Sequence, residues 1–100
     1  MPKKKSRKET KRLAAIREWL EIQAENFPEL SKMDGFDDCI LGICHSAGRE
    51  PFIVYDRDRV LTHLMRDGMD GVSAQEYHEF NQACAYVGPH TPGFIDLVPQ

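Results

Sequence analysis

Apolar residues recur from Leu13 at Ile16, Trp19, Leu20, Ile22, Ala24 and Phe27, with Glu18, Glu21 and Glu25 between them. This spacing fits one face of a helix better than strand alternation, and it predicts a helix over residues 8–26 whose amphipathic part covers 13–27. Pro28 disfavours helical backbone at Phe27, so residues 28–36, with Asp34 and Gly35, read as a loop. Two β-branched and aromatic runs follow, 39–45 and 52–55, around a polar stretch containing Gly48, and they predict a hairpin. Pro51 cannot donate to a ladder and belongs at the start of its strand or on an unpaired side. Asp56 is an N-cap for a helix over 57–66, whose face is Val60, Leu61, Leu64 and Met65 and whose stop is Asp67-Gly68. Ser73 and Glu76 fit a capping box opening a third helix. Tyr77, Phe80, Asn81, Cys84 and Val87 then share one face, and Gly88 with Pro89 ends the helix. Residues 92–99 are extended and supply a third strand. The expectation is an α+β fold: an N-terminal helix, a β-hairpin, two helices and a C-terminal strand, forming a small antiparallel sheet covered by helices on one face.

Charge divides the chain. Residues 1–12 carry Lys3, Lys4, Lys5, Arg7, Lys8, Lys11 and Arg12 against Glu9, a net +6, whereas the other 88 residues carry six basic and fifteen acidic side chains, a net −9. With no apolar residue between Lys3 and Arg12, that segment has too little surface to bury to offset its ordering entropy. It reads as a flexible basic arm over 1–12, joined to a single domain over 13–100 whose core spans 39–95. No run approaches the ~18 apolar residues of a membrane span, and no secretory h-region follows the basic start. Three cysteines without framework spacing fit a reducing compartment, so the expected location is cytoplasmic and no membrane contact is expected.

Candidate chemistry is sparse. Asp56 and Asp58 can bind a divalent ion, yet two carboxylates at a helix start are explained by capping and by the positive helix terminus. Cys39, Cys44, His45 and Cys84 are soft-ligand types without the paired spacing of a zinc knuckle, and a buried thiol is the default reading of Cys84. Cys44, His45, Ser46, Ala47 and Gly48 resemble a nucleophile elbow lacking its first glycine, set between two strands where none is expected. No phosphate-cradling glycine loop is present, and helix three is too acidic at Glu76 and Glu79 for a recognition helix. His78 faces away from the Phe80 and Cys84 stripe. Asn81 is expected at the core edge, where a buried amide needs partners and can hold the loop after Gly88. These residues predict no catalytic set, no metal and no cofactor; Asp56, Ser73, Glu76, Asn81 and Gly88 are read as structural.

The segments EPFIVYDRDRVLTHLMRDGM and SAQEYHEFNQACAYVGPHTPGFI carry a resemblance over residues 39–95. Glu50-Pro51, Tyr55-Asp56, the Asp67-Gly68-Met69 turn, Glu76, Glu79-Phe80-Asn81, Gly88 and Thr91-Pro92 before Phe94 resemble a family of small phage and bacterial proteins to which no activity is assigned. One or two extra residues stand between Met69 and Ser73 relative to that pattern. The resemblance implies a compact small domain and a phage or prophage origin. By subtraction, the leading expectation is a non-enzymatic accessory protein that binds a macromolecular partner, most simply a protein. Contact would run through its acidic surface or first helix, where Trp19, Leu20 and Phe27 are candidate anchors and where a homodimer can also form. The alternative is a nucleic-acid-binding protein whose arm cations Lys3, Lys4, Lys5, Arg7, Lys8, Lys11 and Arg12 contact phosphates without reading bases.

Overall fold

A computed structural model describes residues 7–99 of the chain. Its elements are α1 (Arg7–Asn26), β1 (Ile40–Ser46), β2 (Arg49–Asp56), α2 (Arg57–Arg66), α3 (Gly71–His78) and β3 (Gly93–Ile95). The α+β fold is the one expected. A 3-10 turn, Asp37–Cys39, leads into β1, and a π-helical turn, Glu79–Ala83, continues α3.

β2 lies at the centre of the sheet, between β1 and β3. It pairs antiparallel with β1, with Ile43 opposite Ile53 and Cys44 opposite Phe52. A bulge at Leu41 then sets Ile40 opposite Tyr55. Strict alternation would send Ile40 and Ile43 to opposite faces, so the extra residue returns Ile40 to the core and leaves Leu41 exposed. Gly48, at φ +75, supplies the left-handed backbone that closes the hairpin.

β3 corrects one expectation, because it runs parallel to β2, with Val54 opposite Gly93 and Tyr55 opposite Phe94. The sheet is therefore mixed. A tight turn can make only an antiparallel neighbour; here α2 and α3 form the crossover that brings the chain back to run alongside β2. Phe94 then fits between two buried rings, stacked on Tyr55 at 5.7 Å and meeting the edge of His78 at 4.6 Å.

The core is built from Cys39, Ile40, Ile53, Tyr55, Val60, Leu64 and Ala74. Ile16, Trp19 and Leu20 of α1 and Leu30, Met33 and Phe36 of the following loop pack around it. Although α1 is 20 residues long, none of its side chains is fully buried. Its position is fixed by polar contacts too. The Arg12 guanidinium donates to the carbonyls of Asp38 and Ile40, and Arg17 pairs with Asp37 at 3.5 Å. A boundary after Arg12 thus cuts through α1, since residues 7–12 are its first turns and Arg12 ties it to the entry of β1. Lys3, Lys4 and Lys5 lie outside the described residues.

The helix caps agree in one case and differ in the other. Asp56 caps α2 as expected, accepting from the amide of Asp58 at 3.1 Å. The cap of α3 is Asp70, which accepts from the amide of Ser73 at 2.7 Å. Ser73 is therefore inside the helix and Glu76 closes no capping box there. Asp70 takes the position because it is extended backbone with a carboxylate three residues before Ser73, and these hydrogen bonds hold its carboxyl below the usual range.

The third-helix face also differs. Ala74 and His78 are the buried residues of α3, whereas Tyr77, Phe80, Asn81, Cys84 and Val87 are exposed. Ala74 and His78, four residues apart, set the buried face of α3 and leave Tyr77 outside it, and the π turn Glu79–Ala83 then widens the helix and breaks the 3.6-residue phase for Phe80 and the residues beyond. Asn81 consequently holds no loop. Its side-chain amide donates back to the carbonyl of Tyr77 at 3.2 Å. The loop at Gly88, φ +113, is held by Thr91, whose hydroxyl accepts from the Val87 amide at 2.9 Å and donates to the Gly88 carbonyl at 2.7 Å.

Gly93 is required by contact. A Cβ there would lie 2.8 Å from Cε2 of Phe52, whose ring also carries the Arg49 guanidinium, 3.7 Å from the ring centroid. Gly93→Ala should cost about 1–3 kcal/mol by forcing β3 or the Phe52 ring to shift. Gly71→Ala, which meets nothing within 4 Å, is the matched control. Thermal melts showing equal stability for the two variants would contradict the tight packing of β3 on Phe52.

Candidate functional site

Three surface features gather side chains with chemical potential. The first is a cleft of about 130 Å³ between the start of α1 and α2, lined by Glu9, Arg12, Asp38, Asp58, Arg59, Thr62 and Arg66. Three guanidinium groups and three carboxylates meet there. Burial, followed by the charge of Arg59, lowers the pKa of Arg12 from its usual value. Arg66 approaches Glu9 at 3.9 Å and Arg59 approaches Asp56 at 3.5 Å, so the cations are partly compensated by acids in place.

At the floor of this cleft, Asp38 belongs to a second feature with Cys39 and His63. One ligand atom from each lies within 4.8 Å of the others, and this is the single such group of three or more His, Cys, Asp or Glu side chains among the described residues. The 3-10 turn places Asp38 and Cys39 side by side, and α2 carries His63 across to them. The Cys39 thiol donates to Asp38 Oδ1 at 3.6 Å, and His63 Nδ1 is 3.6 Å from the same oxygen. On the far side of the ring, His63 Nε2 is 3.4 Å from Asp67 Oδ2, and the Phe36 ring packs on the imidazole at 4.5 Å. Burial, reinforced by Asp38, pushes the Cys39 thiol up to about 12, so it is protonated at neutral pH and is no nucleophile as it stands.

The third feature is apolar. Eight of the eleven large hydrophobic side chains exposed among the described residues fall within residues 72–98, and Phe80 and Tyr86 are 77% and 79% exposed. The eight fall within 27 consecutive residues, a higher density than elsewhere in the described chain. The segment carrying them is flanked by two hollows. One, of about 180 Å³, is lined by Met33, Asn81, Gln82, Ala85, Val87 and Phe94. The other is lined by Arg49, Glu50, Tyr86, Gly88 and Thr91.

The anchors expected at the first helix are partly covered. Trp19 and Leu20 pack against the core, and Phe27 is half-buried with its ring 5.9 Å from that of His45. Leu20 and Phe27 also line an open groove of about 400 Å³ with Ala24, Pro28, Leu30 and Ile53. Of the expected soft ligands, Cys44, half-buried, and Cys84, exposed, do not join Cys39. Ser46 and His45 sit at the exposed end of the hairpin. Asp56 and Asp58 act at the start of α2, as the capping reading expects. Sequence spacing carries no signal for the pairing of Cys39 with His63, which only the packing of α2 on the 3-10 turn creates. The apolar patch has a signal, the dense aromatics of residues 77–87, but a helical stripe assigns them to the interior.

No helix of the described residues is long and apolar enough to cross a membrane. Comparison of the chain with family models, curated proteins and solved structures finds no match.

Proposed function

We propose that this protein is a non-enzymatic interaction module whose partner is another protein, held by the apolar face of residues 77–87. The observation that carries this reading is the exposure of Phe80, Tyr86 and Val87, the last two of which line hollows able to receive side chains. Aromatic residues are the strongest contributors at protein interfaces when they move from water into a packed contact. The reading relocates the contact from α1, whose larger side chains already cover the core. A bacterial or phage setting rests on the resemblance alone.

A second reading has its own support. Arg59 and Arg66 line a cleft at the end of α1 that also carries Arg7, Lys8 and Lys11, which suits a phosphate backbone, whereas Arg12 of the same cleft is already bonded to the Asp38 and Ile40 carbonyls. Five phosphate contacts would give a logarithmic salt slope of about −4.5.

Photo-crosslinking distinguishes the two. A benzophenone side chain at position 80 or 86 is expected to give discrete protein adducts in cells, and the same group at Glu21 of α1 is expected to give none. Adducts from position 21 alone would return the contact to α1 and overturn the assignment. Adducts to nucleic acid from Lys11, with none from 80 or 86, would favour the arginine cleft.

A further inference from the structure

We propose that Cys39, His63 and Asp38 form a zinc-binding site beside the arginine-lined cleft. Zinc is taken by thiolate, imidazole and carboxylate together, with bonds near 2.0–2.3 Å, so neighbouring ligand atoms of its tetrahedron lie about 3.3–3.6 Å apart. Two of the three edges here already measure 3.6 Å, from Asp38 Oδ1 to the Cys39 sulfur and to His63 Nδ1. With all three atoms within 4.8 Å, closing the remaining edge takes a shift of about 1 Å.

The surroundings of the imidazole fit the same role. A zinc-bound histidine commonly gives its other ring nitrogen to a carboxylate, which fixes the tautomer and raises its basicity. His63 offers Nδ1 to the cluster and holds Nε2 3.4 Å from Asp67. The ring is further oriented by Phe36. Of the three ligands Asp38 alone lines the cleft, so a fourth ligand, water or an anion, would approach on the Asp38 side.

Opposing charges are present. Arg12 and Arg59 act on Cys39 and disfavour an added dication, whereas Asp38 and Asp67 favour it. On binding, the thiol releases its proton to solvent and the metal takes the sulfur lone pair. The ion would join the 3-10 turn to α2 through direct bonds to both elements.

The test is a cobalt titration of the full chain after dialysis against a chelator. One Co²⁺ per chain is expected, with the thiolate charge-transfer band and the intense visible bands of a tetrahedral site, and with displacement by Zn²⁺. His63→Gln and Asp38→Asn should abolish those bands while circular dichroism stays unchanged, whereas Cys44→Ser and Cys84→Ser should keep them. Asp67→Asn should weaken binding about 10- to 100-fold. Its side chain is 61% exposed, so it tests the site even if the other variants fail to fold. Absence of the bands in the unaltered chain, their survival in His63→Gln, their loss in Cys44→Ser or Cys84→Ser, or undiminished affinity in Asp67→Asn would overturn the proposal.

Discussion

Tyr55→Ala should unfold the domain or lower its melting temperature by roughly 15–30 °C, as expected for a loss of about 3–5 kcal/mol in a chain of this size. The residue is fully buried on the central strand, and its ring supports Phe94, the side chain that docks β3. Its hydroxyl does separate work, accepting the Met33 amide at 2.7 Å and so fixing the loop between α1 and the 3-10 turn. Tyr55→Phe keeps the ring and leaves that amide without its acceptor, which should cost about 1–3 kcal/mol. Urea denaturation of the two variants separates the contributions. Equal losses would mean that the ring adds nothing beyond its hydroxyl, contrary to the packing described.

A second large effect should appear in alkali. Burial pushes the Tyr55 hydroxyl from 10.0 up to about 12, against the lowering effect of the Met33 amide, and the Cys39 thiol rises from 9.0 to about 12. Both groups keep their protons longer in the folded chain than in the unfolded one. Their contribution is intact well below pH 9, where neither state has lost a proton. It falls as the unfolded chain ionises, first at the thiol and then at the phenol, and is gone once the pH passes the folded values. Each tenfold difference in proton affinity between the folded and unfolded chain corresponds to about 1.4 kcal/mol, so the summed loss is of the order of several kcal/mol. Denaturant midpoints measured at neutral pH and at about pH 11 should therefore differ widely. Cys39→Ala should remove the earlier part of the decline, and a profile flat to about pH 11 would show that the two groups are solvated.

Local chemistry makes much of this fold legible. Asp56 and Asp67-Gly68 bracket α2 at the expected residues, because a cap and a stop act over a single turn. The β-branched runs likewise announce the hairpin, since Gly48 and the continuous apolar run Phe52 to Tyr55, buried on both faces, leave few other conformations. Where two local signals overlap, pattern alone misleads: Asp70 and Ser73 both offer a cap three residues before a suitable partner, and only the backbone settles between them. The π turn has no such signal. Periodicity assumes a constant twist, which one widened turn at Glu79–Ala83 breaks for Phe80 and the residues after it; within α3 the buried face is set by Ala74 and His78, four residues apart, and His78 Nε2 finds no partner there. The direction of β3 and the meeting of Asp38, Cys39 and His63 depend on how distant elements pack, which short-range patterns do not encode. Net charge is legible as a distribution, but it does not show that Arg12 is bonded into the body of the protein.

The sheet's two margins bear on how this molecule avoids stacking into fibrils. β1 carries register shifts near both of its ends, and β3 is only three residues long. An approaching foreign strand would thus find few backbone amides in line along either side, a common safeguard against runaway cross-β growth. A protein that exposes this many aromatic rings needs such protection, because rings that attract a partner would otherwise hold two copies together long enough for their backbones to pair.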